Sequence, residues 1–104
     1  MSATRLEKIE VMLVEDPHDT FLRYSRGMEL AKLERFDESL QQLCSLTADD
    51  PPYVPAYFMA AQQLAKLGRV PEAREQLVAG IEVAHHTGDT HAAGEMAEFL
   101  SSLH

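Results

Sequence analysis

The chain has 104 residues, 45% of them hydrophobic and 25% charged, with five prolines and five glycines, a composition that excludes an acidic disordered tail and a collagen-like or low-complexity chain and fits one soluble domain. Nine basic against seventeen acidic side chains give a formal net charge of -8, which repels phosphate backbones and anionic lipid, so neither nucleic acid nor a membrane surface is an expected partner. No stretch approaches ~18 consecutive apolar residues, and the N-terminal residues carry no basic segment leading into an apolar run. The one cysteine, Cys44, has no partner for an internal disulfide, which suits a reducing compartment, and a cytoplasmic protein is the expectation.

The first predicted helix covers residues 4–15, with Leu6, Ile9 and Leu13 on one stripe. Asp16-Pro17 ends it, because proline has no amide proton to donate and disfavours helical geometry in the residue before it. Asp19 is placed to cap a second helix at 20–33, and a third at 37–48 carries Leu40, Leu43, Cys44 and Leu46 at three- and four-residue steps. After Asp50-Pro51 a fourth helix is predicted at 53–67 and a fifth at 71–86, with Pro55 and Pro71 in their first turns, where a missing amide proton costs nothing. The fifth shows Val70, Ala73, Leu77 and Ile81 as its stripe. A sixth, at 90–103, shows Ala92, Met96, Phe99, Leu100 and Leu103. No segment of useful length alternates apolar and polar residues, so strands are not predicted.

Two of these segments are copies of each other. Residues 30–43 read LAKLERFDESLQQL, and residues 64–77 read LAKLGRVPEAREQL. Eight of the fourteen positions are identical, where unrelated sequences would share roughly one. The shift that carries Leu30 onto Leu64 also links Pro17 to Pro51. A helix-turn-helix period of this length resembles the tetratricopeptide repeat family. Tyr57, Ala60, Ala61, Leu64, Ala73 and Leu77 in the second copy, and Gly27, Leu30, Ser39, Leu43 and Pro51 in the first, stand at the family's pattern positions. Arg23, Arg26 and His85 depart from that pattern. The resemblance implies an all-α array of about six helices, as three helix pairs in a short right-handed solenoid. It would form one domain, with a half-repeat helix at 4–15, repeats at about 19–51 and 53–86, and a capping helix at 90–103. The small residues Gly27, Ser39, Ala61 and Ala73 would lie where helices approach closely.

In that family the first helix of each pair lines a concave face on which peptides or helices of other proteins dock. The resemblance therefore implies a noncatalytic interaction module, with Phe21, Tyr24, Met28 and Lys32, then Phe58, Met59, Gln62 and Lys66, facing the groove. Of these, Tyr24, Met28, Lys32, Phe58, Met59, Gln62 and Lys66 are the candidate partner-binding residues. Aromatic residues at helical spacing more often pack inside, so Phe21 and Tyr24 are expected to be largely interior, whereas Phe58 and Met59 look like additional apolar surface. The Lys-Asn-Arg clamp with which some members hold a terminal carboxylate is absent, since the matching places hold Tyr24, Met28, Phe58 and Met59.

An alternative from the structural class is assembly of the chain with itself, as a homodimer for example, through surplus apolar surface such as Val11, Val14 and Leu103. A weaker alternative is metal binding at His85, His86 and His91, where His91 and Glu95 have the four-residue spacing that puts two ligands on one helix face. No His-Glu-x-x-His or Cys-x-x-Cys pattern supports it, and solvated helix ends account for these histidines more simply, so no metal or other cofactor is expected. Glycine-rich phosphate loops and nucleophile elbows are missing, Cys44 beside Leu43 reads as a buried, inert thiol, and Asp37-Glu38 and Asp49-Asp50 read as solvated helix ends. No enzyme is expected.

Overall fold

The computed structural model describes residues 4–103. Local signals set the helix ends. Thr4 and Glu7 form a reciprocal capping box at the start of α1 (Arg5–Glu15), and Asp19 accepts a 2.8 Å hydrogen bond from the Leu22 amide at the start of α2 (Thr20–Lys32). The helices α3 (Phe36–Thr47), α4 (Val54–Lys66) and α5 (Val70–Thr87) follow, α4 and α5 with proline in the first turn. Gly88, in the left-handed region, ends α5, and Asp89 caps α6 (Thr90–Ser102). Every helix end falls within one residue of the predicted limit. There is no strand among the described residues, and none of the helices is long and apolar enough to cross a membrane.

Each helix packs on the next in sequence. In addition α4 touches α2 on one side and α6 on the other, whereas α1, α3 and α5 do not pack on one another. The even-numbered helices thus form one continuous layer of a molecule measuring 45 × 29 × 19 Å. Leu43, Leu46, Ala60, Ala61, Ala73, Leu77 and Met96 form the buried centre, with Leu6, Ile9 and Leu30 buried at the α1–α2 end. Of the four small residues expected at close approaches, Gly27 and Ser39 stand at one between α2 and α3. Gly27 lies against the Leu43 side chain, and Ser39 donates a 2.6 Å hydrogen bond to the Gly27 carbonyl while accepting one from Gln63 at 3.0 Å. The tightest approach is at Gly80, where a Cβ would stand 2.6 Å from Tyr57 Cβ and 2.7 Å from Met96 Sδ.

Arg23 and Arg26, which depart from the repeat pattern, bridge helices instead of filling the core. Arg23 grips Asp49 with its two terminal nitrogens, the shorter contact 2.6 Å, and also reaches Ser45. Arg26 links Glu10 of α1 to Gln42 of α3. Asp49 is therefore a paired helix-end carboxylate and not simply a solvated one. The expectation of a buried thiol also fails, since Cys44 is exposed, although partial desolvation of the sulfur pushes its pKa up. Its neighbour Leu43 takes the inward position on α3, which leaves Cys44 a residue further round.

Candidate functional site

The layer of even-numbered helices carries an open cleft of about 280 Å3. From α2 it takes Tyr24; from α4, Val54, Pro55, Phe58, Met59 and Gln62; from α6 and its cap, Asp89, His91, Ala92, Glu95 and Met96. Met96 closes the bottom, being buried, and Phe58 and Met59 are half-buried along one wall. Two aromatic contacts fix the walls. Tyr24 meets Tyr53 edge to face with centroids 5.2 Å apart, tying α2 to the start of α4, and Phe58 meets Phe99 of α6 at 5.6 Å with the rings tilted by 57°. Burial, and secondarily the neighbouring Tyr53, pushes the Tyr24 phenol above its ordinary pKa, so it stays neutral at the wall.

Of the seven candidate residues read from the sequence, the cleft gathers Tyr24, Phe58, Met59 and Gln62. Met28, Lys32 and Lys66 are exposed and are not among its lining residues; the two lysines end α2 and α4, where cations suit the helix dipole. Phe21 contradicts both expectations made for it. It is 71% exposed, not interior, and lies with Met12 and Leu22 in a separate crevice between α1 and α2. Three positions from Tyr24, it is turned about 60° around the axis of α2, toward α1 and away from Tyr53.

The sequence does not present α6 as part of the groove, because the stripe of Ala92, Met96 and Phe99 reads as a cap. A signal is nevertheless there. The repeat shift that relates Tyr24 to Phe58 runs on to Ala92, and the one that relates Met28 to Gln62 runs on to Met96, so the same register places α6 residues in the lining.

The histidines do not converge. His85 and His86 are in the last turn of α5, and His91 Nε2 lies 3.1 Å from Glu95 Oε1 on α6 with its side chain 88% exposed. Among the described residues no three His, Cys, Asp or Glu side chains are placed to hold a metal ion. Leu103, expected as surplus surface, is half-buried against the core, and its carbonyl accepts a 2.7 Å hydrogen bond from Arg74.

No protein-family model matches the sequence, and no curated protein matches it. Among solved structures, the chain is similar to the solution structure of protein BPP2914 from Bordetella parapertussis. The two are 28% identical and superpose with a TM-score of 0.82, over 97% of this chain and 88% of that one. The likeness is one of fold, and it extends through all six helices.

Proposed function

We propose that this protein is a noncatalytic interaction module, a tetratricopeptide-like array that takes a peptide or helix of a partner protein between α2, α4 and α6. The observation that carries this reading is the open apolar cleft that repeat-equivalent residues Tyr24 and Phe58 line together with Met59. Supporting the repeat architecture, Arg35–Glu38 and Arg69–Glu72 form the same bidentate pair one repeat apart, at the same point of each helix pair. The packing of even-numbered helices on one another, without contact among the odd-numbered ones, suits an array whose concave side is the cleft side. A cleft of about 280 Å3 is at the small end of ligand pockets, which run to ~300–1,000 Å3, and it is open along one side, as suits a few side chains of a longer segment.

The test is selection from a random-peptide display library, with the enriched peptides rebound to Phe58→Glu plus Met59→Glu. Because Phe58 also supports the core, Gln62→Trp, a change at an exposed position that fills the cleft, serves as a second variant. Peptides that bind the wild type and lose both variants, with circular dichroism unchanged for Gln62→Trp, support the reading. Peptides held equally by all three proteins overturn it.

A second reading, self-assembly, is favoured by a different surface. Val11 is 67% exposed, Val14 81% and Phe21 71%, all at the α1 end and away from the cleft. Light scattering over a dilution series separates the two, since a monomer at high concentration removes the second.

A further inference from the structure

Charge around the cleft is one-sided. Asp89 and Glu95 line it, and an adjoining depression of about 290 Å3, which shares Phe58 and Glu95 with it, adds Glu98 and Phe99. No lysine or arginine lines either one. Among the described residues the one basic group lining them is His91, already set on Glu95, and Glu98 makes no ion pair. Of the six arginines, Arg5, Arg23, Arg26, Arg35 and Arg69 each sit on a carboxylate of the chain itself, and Arg74 of α5 donates to the Leu103 carbonyl. The apolar floor and the acidic rim thus lie side by side along α6.

We infer that the occupant of the groove is a cationic amphipathic segment of a partner protein. A large apolar side chain enters between Tyr24, Phe58 and Met59, and a neighbouring Lys or Arg meets Glu95 and Glu98. The inference rests on the groove reading above. The tilted Phe58–Phe99 pair adds to it, because the faces of aromatic rings attract a cation held close to them. The net charge of -8 acts at longer range, drawing in a basic segment and repelling an acidic one or a second copy of this chain.

The enriched peptides of the display selection test this directly. They are expected to combine a large apolar residue with Lys or Arg, and the strongest of them, measured by fluorescence anisotropy, should bind Glu95→Gln plus Glu98→Gln about tenfold more weakly than the wild type. Glu75→Gln plus Glu82→Gln, on exposed positions of α5, removes the same charge away from the cleft and is expected to change affinity less than about twofold. Enriched peptides that are neutral or acidic, or equal losses in the two double variants, overturn the cationic occupant while Gln62→Trp still blocks binding. Peptides indifferent to Gln62→Trp overturn the groove reading itself.

Discussion

Glu34 and Gly68 occupy equivalent places in the two copies of the repeat, and both hold the left-handed backbone, with φ of 60° and 79°, in the turn between the two helices of their pair. Each is followed by an arginine whose amide bonds back to the preceding helix, Arg35 to Leu30 and Arg69 to Leu64. A side chain in this region costs about 1–2 kcal/mol, partly offset in the first copy because Glu restricts the unfolded chain more than Gly does. Glu34→Gly is therefore expected to stabilise the fold by roughly 0.5–1 kcal/mol. Gly68→Ala should destabilise it by about 1 kcal/mol, although nothing lies within 4 Å of the added Cβ. Chemical denaturation of both variants checks the opposite signs.

Two other glycines separate packing from propensity. At Gly80 an added methyl meets Tyr57 and Met96, and Gly80→Ala is expected to cost about 2–3 kcal/mol by forcing α5 away from α4 and α6. Gly94, within α6, has nothing within 4 Å, and Gly94→Ala should instead stabilise by about 0.5–1 kcal/mol. Similar effects at the two positions would contradict the packing described.

Ser39 joins three helices, donating to the Gly27 carbonyl of α2 and accepting from Gln63 of α4. Ser39→Ala leaves the buried Gln63 amide without that acceptor and is expected to cost about 1–3 kcal/mol. Urea denaturation measures it, and a loss below about 0.5 kcal/mol would mean that the bonds re-form elsewhere.

Two paired carboxylates bear on stability in acid. The hydrogen bond from Arg23, followed by the nearby positive charges of Arg23 and His18, holds the Asp49 carboxyl below its ordinary value of 3.8. Arg69 does the same for Glu72, whose ordinary value is 4.5. A carboxyl with a lowered folded pKa contributes stability that is fully present above its unfolded value and is lost as pH falls through the folded one. The melting temperature should therefore hold from about pH 7 to pH 5 and fall below about pH 4, and Arg23→Gln should flatten that fall. Parallel acid limbs for wild type and variant would assign the effect to other groups.

The helices were legible because their signals are local. Asp19, Pro55, Pro71 and the turn residues of each repeat act within one or two turns of the chain. What the sequence hides is whatever depends on a rotation about a helix axis or on a neighbour far along the chain. Phe21 and Tyr24 have the same chemistry and nearly the same stripe, yet one lies by α1 in solvent and the other against Tyr53. Cys44 is one position from Leu43 and on the other side of the burial boundary. The acidic rim from Asp89, Glu95 and Glu98 joins the apolar wall of α4 only because α6 packs against α4 there.

The proposed docking of a partner segment on the face formed by α2, α4 and α6 is tested most directly by titrating a display-selected peptide into the isotopically labelled protein and following the amide resonances by NMR. Shifts concentrated at Tyr24, Phe58, Met59, Gln62, Ala92 and Glu95, with α1, α3 and the outer side of α5 unmoved, are the predicted result. Shifts centred instead on Val11, Val14 and Phe21 would contradict it and move the binding surface to the α1 end of the molecule.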